Sequence, residues 1–400
     1  MLVLNTLPER GRPLDAIDAS MLGPSGADAA RRWIETQAER PETPLYELGA
    51  LAAELGVTRL YVKDEGRRLG LGSFKALGGA YAVACLVLEE ASRRLGRTLC
   101  FTELASPAVT TVASSMTVAC ATDGNHGRSV AQGASRVGAK AAIFVHSGVS
   151  DERVAAIARF GAGIIRVEGN YDDSVARAAE IAEERGWIVV SDTSWPGYER
   201  IPSLVMQGYT LMVREALGRL PEPPTHVFLQ SGVGGFAAAV AGHMALMLGD
   251  RCPTIVVVDP ARAACLVESA KAGRPVKLDQ GEPTVMAMLE CYEPSLVAWR
   301  ILSRVADAFI AVDEIDALDA MNRLARPAGD DPAIVSGESG GAGLAGLVVA
   351  MRSVDMRRHL ALGAGSRVLV INTEGATDPA LYRTLVGLDP DDVRSAGSAG

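Results

Sequence analysis

From residue 58 onward the chain alternates between two kinds of apolar run. Short β-branched stretches at 59–65, 116–122, 141–146, 164–168, 187–192, 225–230, 254–259, 308–313 and 367–372 are separated by longer Ala- and Leu-rich segments. The short runs have the length and Val/Ile content of strands, and the long ones, such as 73–97, read as helices. Strands this apolar, each followed by a helix, belong to parallel sheets covered on both faces. The expected fold is α/β. Four hundred residues exceed what one core holds, so two lobes are expected. Residues 1–114 and 201–400 are read as a larger domain, with a smaller α/β domain at 115–200 inserted in it. The tail at 389–400, polar and rich in small residues, is expected to be disordered.

Composition narrows the function. A net charge of −9 leaves no basic footprint for nucleic acid. No run reaches the roughly 18 apolar residues of a membrane span, and the N-terminus lacks the apolar core of a signal peptide. Six scattered cysteines without C-x-x-C or disulfide spacing fit a reducing cytoplasm. No His/Cys/Asp cluster has metal-ligand spacing, so no metal site is expected.

The chemistry concentrates in five places. In "GLGSFKALGGA" (70–80), Lys75 sits among Ser73, Phe74 and small or apolar residues, with no acid within five positions. Its head either snorkels to water, the usual fate of a lysine, or is joined as a Schiff base to an aldehyde-bearing phosphate cofactor. The loop "QSGVGG" (230–235) follows a strand and opens a helix, so Gly232, Val233, Gly234 and Gly235 offer amides and a helix dipole to a phosphate. The same loop, with Asp259 ending the next strand, also approximates a nicotinamide-binding fingerprint. "ATDGNHGRSVA" (121–131) places Asp123 and Asn125 at a strand end, where Asp123 is a candidate proton acceptor or a helix cap. His126, one of five scattered histidines, is read as a packing residue or as support for neighbouring site residues. Asp192, beside Trp195 and Tyr198, is suited to a cationic substrate group or to capping a turn. Glu338 in "SGESGGAG" and Thr373 in "VINTEGATDP" complete the set.

Together these pieces resemble the fold type II pyridoxal-phosphate enzymes, the threonine dehydratase and tryptophan synthase β class, from about residue 40 to 385. The resemblance implies two open, mainly parallel, twisted sheets covered by helices, with pyridoxal 5'-phosphate between the two lobes. It implies Lys75 as the Schiff-base lysine, Asn125 at the phenolate oxygen, Gly232–Gly235 at the phosphate and Thr373 at the pyridine nitrogen. Phe74 and Glu338 are placed beside the cofactor, and Ser73, Asp123, Asp192 and Tyr292 beside the substrate.

Within the class, "ATDGNHGR", "DTSWPGYERIP", "MQGY" and "NTEGATD" are most similar to the diaminopropionate ammonia-lyase subfamily. That subfamily implies elimination from 2,3-diaminopropionate to pyruvate and two ammonia, with Lys75 serving the L-isomer, Asp123 the D-isomer, and a homodimer. One segment departs from relatives: Leu289, Glu290 and Tyr292 stand where smaller residues are usual, which bears on substrate preference. The alternatives are a threonine, serine or 3-hydroxyaspartate dehydratase on the same fold and, more distantly, a nicotinamide oxidoreductase.

Overall fold

The computed structural model describes residues 1–38, 42–122, 124–169 and 171–397. Eleven strands appear among them: β1 (Leu2–Leu4), β2 (Leu45–Glu47), β3 (Arg59–Asp64), β4 (Thr117–Ala121), β5 (Lys140–His146), β6 (Gly163–Val167), β7 (Ile188–Val189), β8 (His226–Gln230), β9 (Thr254–Pro260), β10 (Ala308–Val312) and β11 (Arg367–Asn372). The apolar runs of the sequence are β3 to β11. β1 and β2 carry no such signal, because three residues cannot show a period. Both are antiparallel edge strands, β1 on β10 and β2 on β3.

The chain divides into two compact units. The first comprises Met1–Pro24, Glu42–Phe74 and Met212–Gly400. It holds the seven-stranded sheet β1-β10-β9-β8-β11-β3-β2, whose five inner strands run parallel. Leu60, Val62, Phe228, Val256, Val258, Ile310, Val312, Val368 and Val370 pack with Leu344 and Leu347 of the helix Ala342–Arg352. Burying each such side chain contributes about 1.5–3 kcal/mol, which is why these strands read as continuous apolar runs.

The second unit comprises Ser25–Pro41 and Lys75–Leu211, around the all-parallel sheet β6-β5-β4-β7. It is larger than the 115–200 read from the sequence. The reason lies in helix packing. The helix Lys75–Leu95 lies so close to the helix Asn125–Val137 that a Cβ on Gly133 would stand 2.6 Å from the Ala80 Cα, and one on Gly79 2.8 Å from the Ser129 hydroxyl. That hydroxyl accepts the Ala80 N–H at 3.0 Å. A Cβ on Gly78 would likewise meet the Tyr209 ring at 2.5 Å, binding the helix Arg200–Arg219 into the same unit.

The tail differs from expectation. Pro390–Gly397 is a helix, begun by Pro390 with Asp391 and Asp392 in its first turn, and the Asp389 carboxylate accepts the Asp391 N–H. Pro390 and Val393 are buried, Val393 with Met321, Tyr382 and Val386. Two docked apolar residues are invisible in a composition dominated by Ser, Gly and Asp. Residues 398–400 lie outside the described residues.

Candidate active site

In the second unit, Lys75 is the first residue of its helix, and its side chain is 21% exposed. The acid missing from its sequence neighbourhood is Asp192, whose carboxylate accepts the Lys75 ammonium in an ion pair. Burial alone would raise the Asp192 carboxyl. The charge of Lys75, the nearby His126 ring and the hydrogen bond from Lys75 overturn that and hold it far below the usual carboxylate range. Asp192 is therefore an anion at any working pH.

Asp192 is held in place by the backbone before it. The Tyr198 hydroxyl donates to the Val189 carbonyl at 2.8 Å and accepts the Ser191 N–H at 3.0 Å, satisfying backbone groups on the open edge of β7. Trp195 stacks on Tyr198 with ring centroids 4.1 Å apart. The aromatics beside Asp192 thus set its loop.

His126 is buried, and burial lowers its pKa despite the Asp192 charge. Its Nε2 lies 2.9 Å from the Val190 carbonyl, so the proton belongs there and Nδ1, 3.9 Å from Asp192, is the bare nitrogen.

Asn125 opens the helix Asn125–Val137 and is buried. Asp123 lies outside the described residues. The cap of that helix start comes from Thr122, whose hydroxyl accepts the Gly124 and Gly127 N–H groups at 3.0 and 3.1 Å. A threonine one residue before the acid was the signal available in the sequence.

In the first unit the remaining residues meet at the C-terminal ends of β8 and β11, where open α/β sheets bind ligands. The glycine loop leads from Gln230 into the helix Gly235–Leu248. Gly234 has φ +97°, open to glycine, and a Cβ on Gly232 would lie 3.0 Å from the Cys291 Sγ. Ser295 donates its N–H to the Val233 carbonyl at 2.9 Å, holding the loop from behind.

Phe74 donates its N–H to the Thr373 carbonyl at 2.9 Å and packs its ring 4.8 Å from Phe236. The Ser73 hydroxyl is buried with no hydrogen-bond partner. Thr373 is 3% exposed, and its hydroxyl accepts the Gln230 side-chain amide at 3.0 Å. Glu338 is buried in the loop whose Gly337 N–H donates to the Glu374 carbonyl at 3.0 Å. The Tyr292 hydroxyl donates to Glu290 at 2.8 Å, and burial together with that carboxylate pushes it up to about 12. Its proton is committed to Glu290.

Asp259 is not a ribose ligand. It is fully buried, and one carboxylate oxygen accepts the Leu266 and Val267 N–H groups at 2.9 and 3.0 Å, capping the helix Cys265–Ala272. This removes the acid on which the nicotinamide reading depended. Among the described residues, no group of His, Cys, Asp and Glu is placed to hold a metal ion, and no helix is long and apolar enough to cross a membrane.

The pyridoxal-phosphate dependent enzyme family model matches residues 37–374, which sets the class as fold type II. Diaminopropionate ammonia-lyase of Escherichia coli K12 is 40% identical over 369 residues, 90% of this chain and 91% of that protein. Its counterpart in Salmonella typhimurium is 38% identical over 360 residues, 86% of this chain and 87% of that protein. The crystal structure of the Escherichia coli enzyme in complex with an aminoacrylate-PLP azomethine reaction intermediate superposes with a TM-score of 0.85, at 37% identity and covering 96% of each chain. The chain belongs to the pyridoxal-phosphate dependent enzymes and, among them, to the diaminopropionate ammonia-lyase family.

The residues present fit that cofactor. Lys75 supplies an amine and Thr373 a neutral hydroxyl. The glycine loop supplies bare backbone at a helix N-terminus, where added Cβ atoms would strain Gly234 or crowd Gly232.

Proposed function

We propose that this enzyme catalyses α,β-elimination of 2,3-diaminopropionate. One substrate and one water become one pyruvate and two ammonia. The observation that carries the reading is the Lys75–Asp192 pair, an amine able to carry a proton in contact with a carboxylate kept ionised.

Lys75 would hold pyridoxal phosphate through Nζ, Gly232–Gly235 its phosphate, Asn125 its phenolic oxygen and Thr373 its ring nitrogen, beside Phe74 and Glu338. When bound, the cofactor supplies a conjugated ring that takes up the electron pair left by the departing α-proton. The unprotonated Lys75 Nζ removes that proton from the L-isomer, and the Asp123 carboxylate removes it from the D-isomer.

Asp192 is too weak a base for this step. Its fixed negative charge instead attracts the substrate's β-ammonium, with which the Lys75 ammonium competes. Already protonated, the β-nitrogen leaves as ammonia with the electron pair of its C–N bond. Ser73 and Tyr292 face the substrate carboxylate and side chain. The working form is a homodimer in a reducing cytoplasm, consistent with six free cysteines.

Counting keto acid and ammonia released from each diaminopropionate enantiomer and from serine, threonine and 3-hydroxyaspartate tests this. Two ammonia per pyruvate support it. Turnover of the hydroxyl substrates alone makes the enzyme a dehydratase instead. Asp123→Asn is expected to lower D-isomer turnover about 100-fold or more and L-isomer turnover far less; equal losses would rule out the two-base assignment.

A further inference from the structure

Gln230 ends β8, is 1% exposed, and points its side-chain amide at the residue assigned to the ring nitrogen. Its Nε2 lies 2.6 Å from the Gly340 carbonyl, 2.9 Å from the Ile371 carbonyl and 3.0 Å from the Thr373 hydroxyl. Its Oε1 is buried with no hydrogen-bond partner. The orientation of the amide follows from this asymmetry. Turned over, it would press a carbonyl oxygen against three other oxygens. Gly343 leaves the room it needs, since a Cβ there would stand 2.9 Å from Oε1.

A threonine hydroxyl has one proton and two lone pairs. Here one lone pair is taken by the Gln230 N–H. The same Nε2 also reaches the Gly340 and Ile371 carbonyls, so its two N–H groups are shared among three acceptors. An apolar side chain of similar size would avoid leaving Oε1 unpaired, so packing alone does not account for a glutamine here.

We propose that Gln230 is a positioning residue: by donating to the Thr373 hydroxyl it fills one of that oxygen's lone pairs and leaves the hydroxyl proton for the ring nitrogen of bound pyridoxal phosphate, which stays unprotonated. The inference rests on the proposed placement of Thr373 at the ring nitrogen. A ring nitrogen without a proton draws less charge from the substrate carbon. That suits loss of a ready leaving group over side reactions requiring a long-lived carbanion.

The test uses enzyme loaded with pyridoxal phosphate carrying ¹⁵N in the ring, together with cofactor dissociation constants measured on apoenzyme. The wild type is expected to show the resonance of a neutral, hydrogen-bonded pyridine, and a pyridinium resonance would overturn the inference. Gln230→Met is expected to weaken cofactor binding about tenfold and to shift the resonance in the same direction as Thr373→Val. In a Thr373→Val background the same change should weaken binding no further. Equal weakening in both backgrounds would assign Gln230 to packing alone.

Should Gln230→Met fail to fold, Gln230→Asn, whose amide stops short of Thr373, takes its place in the same cycle. Wild-type binding and resonance in Thr373→Val would overturn the placement of Thr373, and the inference with it, while leaving the elimination reading to its own product assay.

Discussion

Two lysines lie twelve residues apart in the sequence and meet opposite fates. Lys63, in β3, is 0% exposed and held among fixed partners: its ammonium donates to the Thr43 carbonyl at 2.7 Å and to Glu215 at 2.6 Å, with Glu65 3.8 Å away. Arg68 completes the cluster, bonding Glu65, Glu215 and the Thr43 hydroxyl. Burial opposes every charge in this group. The mutual attraction of two cations and two anions overturns it, leaving Glu65 lowered and Arg68 raised. Lys75 is less buried and is paired with the carboxylate of Asp192. Depth of burial does not identify a reactive lysine. On the proposed mechanism, what distinguishes Lys75 is a partner that a substrate cation takes over.

The largest expected effect on this contrast is Lys75→Ala. Turnover should fall by about 10⁴-fold while the thermal midpoint stays near wild type, because a partly exposed side chain is lost. Borohydride reduction and peptide mapping should find no cofactor on the chain. A labelled peptide elsewhere would reassign the lysine.

Lys63→Met should do the reverse. It leaves two buried carboxylates facing Arg68 alone and is expected to lower unfolding free energy by about 3–5 kcal/mol in a denaturant titration. A variant as stable as wild type would show that the cluster does not need its lysine.

Asp192→Asn tests the partner. With the charge gone and the hydrogen-bonding shape kept, kcat/KM for diaminopropionate should drop about 100-fold, mostly through KM. An unchanged KM would separate Asp192 from the β-ammonium.

The smallest effect concerns Asp259, whose carboxyl burial pushes up to about 8 from 3.8, even against the two backbone N–H groups it caps. A group with a raised folded pKa binds its proton more tightly in the native state. Its contribution is full below pH 3.8 and is lost as pH climbs through about 8. Wild-type thermal stability should therefore fall between pH 6 and 9 by more than that of Asp259→Asn, in parallel melting curves. Identical slopes would mean Asp259 is ionised throughout.

Glycines repeat the lesson of the lysines. "KALGGA" and "SGVGG" look alike as text. In the first, Gly78 and Gly79 remove side chains where Tyr209 and Ser129 crowd the helix; in the second, Gly234 turns the backbone at φ +97°. Both stretches were legible as special positions. Only the surroundings show that the first pair serves helix packing and the second a loop at a helix start.

Much of the candidate site was legible because strand ends in a parallel sheet collect polar residues: Asn125, Asp192, the glycine loop and Thr373 follow β4, β7, β8 and β11, while Lys75 stood out as a lone charge in a small and apolar stretch. Gln230, Thr122 and the stapling role of Tyr198 were not. Each acts on a backbone group or hydroxyl whose position depends on how the chain is folded. The extent of the smaller unit was missed for the same reason, since Ala80 against Gly133 is a contact between helices with no local signature.

What the amino-acid order settled unaided was the alternation of strand and helix, the nine apolar runs and the chemical types gathered at their ends. These follow from periods of two and 3.6 residues and from motifs a few residues long. Tertiary structure decided which charge faces which: Lys75 with Asp192, 117 residues on, and Lys63 with Glu215, 152 residues on. Electrostatic partnership falls off over a few ångströms of space and takes no account of distance along the chain, so only the folded molecule assigns it.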